Sequence, residues 1–364
     1  MNNIQTIPQV VLSSQVRDIQ ILTECESVEI DFGCGSDTIY SETLYSYAGR
    51  VIFRNVDELI REYLLAHESA CDEFSLCVNF IDDSEVQEIR FSAIYCDLEF
   101  NIDSATSLNF LKNNFLTLSP TMRTAPRSWF TIHWFSLFGE TFELKCSCIC
   151  DFDDEIINFP LPTIYKDTAG YNRVFSYFFD LEQLENTCRE EYGSVTCKLL
   201  ALAITCGKRT FTVYVHQELE RASCFLFINP FGLPEKLYIP GDTVTKFKAS
   251  RSSAETSRRL QNYDTKAETE HELSTSFLSD NMLQSINAML CSPDIRVPDM
   301  NAPGDSDFYG HLPIVIDTTT SEFHDNADEP ATLKFTWRYC TNNDPRYYSE
   351  RKKIFTLQYN NIFS

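Results

Sequence analysis

Three cysteines at alternating positions are the residues whose type and spacing most suggest chemistry. Cys146, Cys148 and Cys150 occur in a run of apolar and small residues. Alternate side chains of a β-strand lie on one face, about 7 Å apart, so three thiolates could share a metal ion. Zinc sites are usually built from Cys-x2-4-Cys pairs with a second ligand pair, and no second pair has that spacing here. The pattern therefore predicts buried free cysteines on a strand rather than a metal site.

Other candidate sites for metal or acid–base chemistry are incomplete. The acidic run 151–155 lacks the glycine and the terminal glutamate spacing of an EF-hand loop, which favours a solvated connector. His271 and Glu272 begin like a His-Glu-x-x-His zinc motif, but Thr275 stands where the second histidine is required. His133 lies between apolar residues and is predicted to be a strand residue rather than a general base. The sequence predicts no catalytic residue, no metal site and no cofactor.

The overall charge excludes several classes of partner. The chain has 364 residues, of which 30 are basic and 53 are acidic, and its formal net charge is −23. Nucleic acid and anionic membrane surfaces are therefore poor partners for its bulk surface. We see no signal peptide and no apolar run long enough to span a bilayer, and the 14 cysteines then indicate a reducing compartment. We expect a soluble protein that folds in a cytoplasm.

The charge is unevenly distributed, which suggests how copies could meet. Residues 57–104 have a local net charge of −11, whereas residues 246–266 have a net charge of +4. An acidic face on one copy could bind the basic segment of its neighbour, a heterologous contact of the kind that builds rings. The predicted assembly contacts are Lys246, Lys248, Arg251, Arg258 and Arg259 on the basic side, and Asp72, Glu73, Asp82 and Asp83 on the acidic side.

The sequence contains an internal repeat, which predicts part of its secondary structure. Residues 50–65 and 173–188 both read as an apolar strand, an aspartate at a helix N-cap (Asp57 or Asp180) and a short amphipathic helix, with an offset of 123 residues. A hairpin pattern follows each helix, over 74–96 and over 195–215. So long an offset indicates duplicated domains rather than a solenoid.

The pattern of strands predicts the fold class and the domains. The chain is rich in aromatic residues, 28 of them Phe, and hairpin turn signals recur about every 8–12 residues, which favours an all-β chain. We predict two tandem β-sandwich-like domains, each with a short inserted helix, over 1–122 and 123–217. A C-terminal β domain over 218–364 is predicted to contain one longer helix, over 279–290, capped by Ser279 or Asp280.

One stretch of the third domain carries a family resemblance. Residues 225–235 join an aromatic strand to an Asn-Pro-Phe-Gly turn and then Leu-Pro-Glu. This stretch resembles a hairpin in proteins of tailed phages and prophages of gut Bacteroidales, and the resemblance continues loosely through 246–259, 263–273, 279–290, 314–320 and 333–339. The N-terminal half is similar through its Tyr-x-x-x-Gly-Arg-Val-Ile-Phe and Asp-Glu-Leu patterns. The resemblance implies a virion component of the tail, and it carries over no catalytic residue.

Three functions remain open at this point. The first is a non-enzymatic structural subunit of a phage tail, located in the virion, with copies of itself and other virion proteins as partners. The second is an adhesin that binds a receptor or glycan through loop aromatics, for which the candidates are Phe308, Tyr309, Tyr347 and Tyr348. The third is a carbohydrate-active hydrolase, but no base, nucleophile and orienting group occur together. The absence of a catalytic set favours the structural subunit.

Overall fold

The computed structural model describes residues 2–83, 85–98, 107–153, 155–193, 196–256, 259–275, 278–299, 308–322 and 332–340. The chain forms two compact units. Unit 1 comprises Met1–His216 together with Ile228–Glu235, and unit 2 comprises Gln217–Phe227 together with Lys236–Ser364. The predicted division into three domains, with boundaries at 122 and 217, stays a prediction.

The predicted fold class is confirmed, since strands make up 55% of the structure and helices 17%. The first half of unit 1 is a sandwich of a five-stranded sheet, in the order β2-β8-β7-β4-β5, and a three-stranded sheet, in the order β1-β3-β6. Its elements are β1 (Asn3–Ile4), β2 (Val10–Leu12), β3 (Ile19–Leu22), β4 (Ser27–Cys34), β5 (Asp37–Tyr45), β6 (Arg50–Phe53), α1 (Val56–Ala66), β7 (Cys71–Phe80) and β8 (Glu85–Ile94).

The second half of unit 1 is built in the same way. A six-stranded sheet has the order β12-β11-β15-β16-β9, with β13 also on β11, and β10 pairs with β14 in a two-stranded sheet. The elements are α2 (Ser107–Asn113), β9 (Thr121–Thr124), β10 (Trp129–Ser136), β11 (Thr141–Phe152), β12 (Glu155–Pro160), β13 (Tyr165–Thr168), β14 (Arg173–Asp180), α3 (Leu181–Tyr192), β15 (Lys198–Cys206) and β16 (Arg209–Val215).

The two halves share their strand pairings as well as their order of elements. β3 pairs with β6, and β10 pairs with β14, both antiparallel. β4 lies between β5 and β7, as β11 lies between β12 and β15. β2 runs parallel to β8, and β9 runs parallel to β16. The sequence repeat therefore corresponds to a repeated topology.

Each sandwich has its own apolar core, because the inward residues of its strands alternate with outward polar ones. The first core contains Phe32, whose ring stacks with those of Phe74 and Phe91 and meets that of Phe53 edge to face. The second core is centred on Trp134, which packs against Phe142 and Phe175. A further buried cluster joins residues of both halves to the turn 228–235 of unit 1: Val10, Leu12, Ile94, Cys96, Leu111, Leu116, Phe135, Phe231 and Leu233.

Unit 2 contains a seven-stranded sheet in the order β18-β17-β21-β22-β23-β20-β19. Its elements are β17 (Ser223–Ile228), β18 (Pro234–Ile239), β19 (Gly241–Thr256), β20 (Arg259–Thr275), α4 (Asp280–Leu290), β21 (Ile295–Val297), β22 (Leu312–Glu322) and β23 (Thr332–Tyr339). Here the second strands of the two hairpins, β20 and β23, pair with each other, whereas in the sandwiches the first strands do. The pairing scheme of unit 2 therefore differs from that of the repeat.

The helix ends confirm two predicted caps and correct one. Asp180 caps α3, since its carboxylate accepts hydrogen bonds from the backbone N–H of Glu182 and Gln183. Ser279 is the N-cap residue of α4. The N-cap of α1 is Asn55 in a left-handed conformation, so Asp57 lies in the first turn instead of at the cap. The prediction of a longer C-terminal helix was wrong in one respect, because α4 has 11 residues and α3 has 12.

Candidate functional site

The most distinctive surface of the protein is the long hairpin formed by β19 and β20. The two strands pair from Gly241↔Thr275 to Thr256↔Arg259. β20 pairs with β23 only from His271 to Ser274, at one end of the hairpin. Among the described strands, the segments 246–256 and 259–270 therefore pair only with each other. They form a two-stranded ribbon about 35 Å long at about 3.3 Å per residue.

The β19–β20 hairpin exposes side chains on both of its faces. Val244 is 51% exposed and Phe247 is 55% exposed, and their odd separation places them on opposite faces of β19. β19 is the last strand of the described sheet, so the backbone groups that alternate residues direct to its outer edge have no strand partner in the part of the chain that the structure describes. An isolated two-stranded hairpin is only marginally stable in water, and a long free edge is a template for pairing with another chain. The geometry suits contact with a further strand.

Four of the five basic residues predicted as assembly contacts lie on the described strands of this hairpin, but the net charge of residues 241–275 is zero. Lys246 contacts Glu272 at 2.6 Å, and Lys248 contacts Glu270 at 2.7 Å. The hydrogen bond from Lys246 lowers the pKa of Glu272. The whole hairpin, 241–275, has six basic residues (Lys246, Lys248, Arg251, Arg258, Arg259 and Lys266) and six acidic ones (Asp242, Glu255, Asp264, Glu268, Glu270 and Glu272).

The structure describes two of the three arginines that were predicted as assembly contacts. Arg251 and Arg259 lie on the two strands and pair with Thr265 and Thr256, respectively. Arg258 lies outside the described residues.

The acidic residues proposed as the opposing contact do not form one patch. Asp72 and Glu73 lie at the start of β7, whereas Asp82 and Asp83 lie in the turn that follows it. Ten residues of strand separate the two pairs by roughly 30 Å. Asp82 accepts a hydrogen bond from the backbone N–H of Glu26, and Asp83 accepts one from the side chain of Asn2. The role of these residues in assembly stays a prediction.

The cysteine cluster lies in the second core. Cys146, Cys148 and Cys150 are buried on β11, as predicted, but the sulfur atoms of Cys146 and Cys148 are only 4.0 Å apart. Hydrogen bonds with Cys146 and Cys188, together with burial, raise the pKa of the Cys148 thiol. In the part of the chain that the structure describes, no group of three or more side chains is arranged to hold a metal ion. These thiols pack as small apolar groups.

His133 lies on the strand β10, as the sequence predicted, and its side chain is buried. Its Nδ1 lies 2.7 Å from the hydroxyl of Ser176, and its Nε2 lies 3.1 Å from the carbonyl oxygen of Pro234. Since a carbonyl can only accept, Nε2–H donates to Pro234 and Nδ1 accepts from Ser176. Burial lowers the pKa of His133 to about 4, so the ring is neutral near pH 7.

The turn that carried the family resemblance is also buried in unit 1. The side-chain oxygen of Asn229 accepts hydrogen bonds from the backbone N–H of Phe231 and Leu233. Its amide nitrogen donates to the carbonyl of Leu116 and to the carboxylate of Glu235. Burial raises the pKa of Glu235 to about 7. The turn therefore has a structural role.

The aromatic residues proposed for glycan binding are not a surface cluster. Phe308 is buried, beneath the guanidinium of Arg296 at 5.0 Å, so its prediction as an exposed aromatic was wrong. Nothing is described of the side chain of Tyr309, and Tyr347 and Tyr348 lie outside the described residues. In the run 151–155, Asp151 and Phe152 end β11 and Glu155 begins β12, which corrects the prediction of a connector, and Asp154 lies outside the described residues.

Comparison with known proteins leaves the family open. No family model matches the chain, and no curated protein matches it. A solved structure of the full extracellular region of plexin A4 aligns with 93% of this chain at 6% identity and a TM-score of 0.20. The aligned part covers 39% of the plexin chain, so this chain spans well under half of that protein. Among the described residues, every helix is too short or too polar to cross a bilayer.

Proposed function

We propose that this protein is a non-enzymatic structural subunit that assembles with copies of itself and with other proteins of a phage particle, in its tail. The β19–β20 hairpin is the observation that carries the proposal. Among the described strands, none pairs with the outer edge of β19 along its 16 residues, and each face of the hairpin carries an exposed apolar side chain. A strand from a neighbouring copy on this edge would complete the ladder and cover Val244 or Phe247.

The particular assembly, a phage tail, is supported by the resemblance of residues 225–235 to the hairpin of tailed-phage proteins. The burial of this turn gives a physical reason for its sequence, because Asn229 satisfies four polar groups through one side chain. A tail subunit folds in the host cytoplasm before it is incorporated, which agrees with the many buried free cysteines.

Light scattering and negative-stain electron microscopy of the full chain, over a range of concentrations, test the proposal. We expect a defined oligomer whose fraction increases with concentration. The double variant Val244→Lys with Phe247→Lys should shift it to monomer, because charged residues on an edge strand block further pairing. Val86→Lys is the matched control, since Val86 is 61% exposed on a strand of unit 1. A wild-type chain that stays monomeric at every concentration, or a double variant that assembles like the control, would contradict the proposal.

A further inference from the structure

A groove lies in unit 1, where the chain passes from one sheet of the first sandwich to the other. β5 and β6 are joined by a tight turn in which Ala48 has φ 52° and Gly49 has φ 75°. Tyr47 and Arg50 exchange backbone hydrogen bonds of 2.9 and 3.1 Å across this turn. Beyond that pair the two strands separate, because β5 continues in the five-stranded sheet and β6 in the three-stranded sheet. A groove of about 550 Å³ lies between them.

On the side of β6 that faces this groove, the backbone groups of Arg50 bond to Tyr47, whereas those of Ile52 have no backbone partner among the described residues. The carbonyl of Gln20 accepts from Gln5, on the far side of β3, so the polar groups of Ile21 point towards β6 and pair with Val51. The backbone groups of Ile52 therefore point the opposite way, as those of Arg50 do. By the same alternation, Ser46 bonds to Glu26 of the neighbouring segment, and the N–H and C=O of Tyr45 point away from β4.

The side chains around the groove combine apolar, aromatic and cationic groups. Leu44, Val51 and Ile52 supply apolar surface, and the rings of Tyr45 and Tyr47 are 80% and 87% exposed. The remaining polar lining consists of two exposed arginines, Arg50 and Arg54. Neither guanidinium makes an ion pair with any residue that the structure describes. Two uncompensated cations in one groove are notable in a chain with a net charge of −23.

The arginine of the second sandwich that is equivalent to Arg50 has different contacts. Arg173 opens β14 as Arg50 opens β6, but its guanidinium stacks over Tyr171 at 5.1 Å and over Phe175 at 4.1 Å. It also lies 3.8 Å from the carboxylate of Asp167. The guanidinium of Arg173 therefore has partners within the second sandwich, whereas that of Arg50 has no ion-pair partner among the described residues.

We propose that this groove binds an extended, acidic peptide segment of a partner protein, which adds as a strand to the free edge of β6. Main-chain hydrogen bonds to Ile52 would hold the segment, and its carboxylates would pair with Arg50 and Arg54. Tyr45 and Tyr47 would cover its apolar side chains. The free strand edge favours a peptide over a glycan, because only a peptide continues a ladder of backbone hydrogen bonds.

Fluorescence anisotropy of the full chain with a short labelled peptide, in which glutamate alternates with valine, tests this proposal. We expect binding that weakens about tenfold or more in Arg50→Glu with Arg54→Glu, since charge pairs at interfaces are worth at least that factor. A peptide with lysine in place of glutamate should not bind. Arg123→Glu is the matched control, because Arg123 is also exposed and without an ion pair among the described residues. Binding that survives the double variant, or no binding at all, would overturn the proposal.

Two further variants separate the contributions. Ile52→Pro keeps both arginines but removes the outward N–H, so it should weaken binding if the peptide adds as a strand. Arg50→Gln with Arg54→Gln removes the charge without reversing it, and it should also lose affinity while its circular dichroism spectrum remains that of the wild type. Binding of an anionic oligosaccharide in place of the peptide would also overturn the proposal.

This site is independent of the hairpin of unit 2. The Val244→Lys and Phe247→Lys changes should leave peptide binding unchanged, and the arginine changes should leave self-assembly unchanged. Failure of either proposal can therefore be recognised without reference to the other.

Discussion

Hydrogen bonds and ring contacts of single residues hold the buried turn 228–235 of unit 1 in place. His133 donates to the carbonyl of Pro234, and Asn229 bonds to the carbonyl of Leu116 and to Glu235. Phe231 stacks on Phe110 with ring centres 5.8 Å apart. Buried polar groups of this kind are costly when they lose a partner, so the turn should respond strongly to changes in protonation.

We predict that Glu235 makes the stability of unit 1 depend on pH between about 4.5 and 7. Burial raises its folded-state pKa from 4.5 to about 7, so the folded state binds the proton more tightly than the unfolded state. Its stabilising contribution is complete below pH 4.5 and is lost as the pH rises through 7. Glu235→Gln should therefore stabilise the protein relative to wild type at pH 8, by on the order of 3 kcal/mol, and much less at pH 5.

Urea unfolding at the two pH values measures this difference. Glu190→Gln, an exposed site in the same unit, is the control and should show no pH-dependent difference from wild type. His133, whose pKa is lowered to about 4, acts in the opposite direction: its contribution is lost as the pH falls from 6.5 through 4. The comparison of variants at one pH removes this common background. An equal effect of Glu235→Gln at both pH values would show that the carboxyl is not the titrating group.

At the scale of elements, the two copies of the repeat use the same position in different ways. Asp180 lies at the N-cap of α3 and accepts two backbone hydrogen bonds. Asp57 lies in the first turn of α1 and forms an ion pair with Arg61 at 3.1 Å. The alignment of the repeat makes the two aspartates equivalent, but the left-handed conformation of Asn55 starts α1 earlier than the alignment indicates. Similar sequence therefore does not imply similar local energetics.

We predict that Asp180→Ala destabilises the protein more than Asp57→Ala. The loss of an N-cap costs about 1 kcal/mol, whereas an i,i+4 ion pair on a helix contributes about 0.5 kcal/mol or less. Asp180→Asn should retain most of the stability, because an asparagine oxygen also caps a helix. Chemical denaturation of the three variants measures these differences. Equal costs for the two alanine variants would contradict the assignment of Asp180 as the only side-chain cap of the pair.

We also predict that Gly232→Ala is much more harmful than Gly207→Ala. Both glycines have positive φ, 72° and 62°, so both variants carry the cost of about 1 kcal/mol for a left-handed alanine. A Cβ at Gly232 would in addition lie 3.0 Å from the ring of Tyr95, whereas nothing lies within 4 Å of one at Gly207. Overpacking of this kind costs about 1–3 kcal/mol more. Similar midpoints of urea unfolding for the two variants would contradict the packing of this turn.

At the scale of the whole molecule, charge and assembly act against each other. Each copy carries a net charge of −23, so copies repel one another at low ionic strength. The β19–β20 hairpin has equal numbers of acidic and basic residues, so its approach to a neighbour is not opposed by its own net charge. Association through this hairpin would therefore depend on backbone pairing and apolar contact rather than on opposite charges.

We predict that association becomes stronger, or stays the same, when salt is raised from about 0.05 M to about 0.5 M, because added ions screen the repulsion between copies. Light scattering at fixed protein concentration measures this. An oligomer that dissociates in salt would instead support the contact between the acidic and basic residues predicted from the sequence. In that case Arg258→Glu with Arg259→Glu should abolish assembly at low salt.

The sequence by itself determined the features that depend on neighbours in the chain. Alternation of apolar and polar residues predicted the strands, the 3.6-residue period predicted α1, α3 and α4, and the offset of 123 residues predicted the repeated order of elements. The short helix α2 was not predicted. The cap at Asp180 and the turn after Asn229 could also be predicted from the sequence, because each depends on residues only a few positions apart.

Only the tertiary structure decided which of these features face solvent and which face each other. Glu235 has an unremarkable sequence context, yet the fold buries it and raises its pKa. Phe308 lies in a stretch rich in Asn, Asp, Pro and Gly, which predicts an exposed loop residue, yet its side chain is buried. Conversely, Tyr45 and Arg50 look like ordinary strand residues until the separation of β5 and β6 opens a groove between them. Burial and free strand edges depend on which distant segments of the chain pair with each other. Local sequence patterns do not specify that pairing or its register.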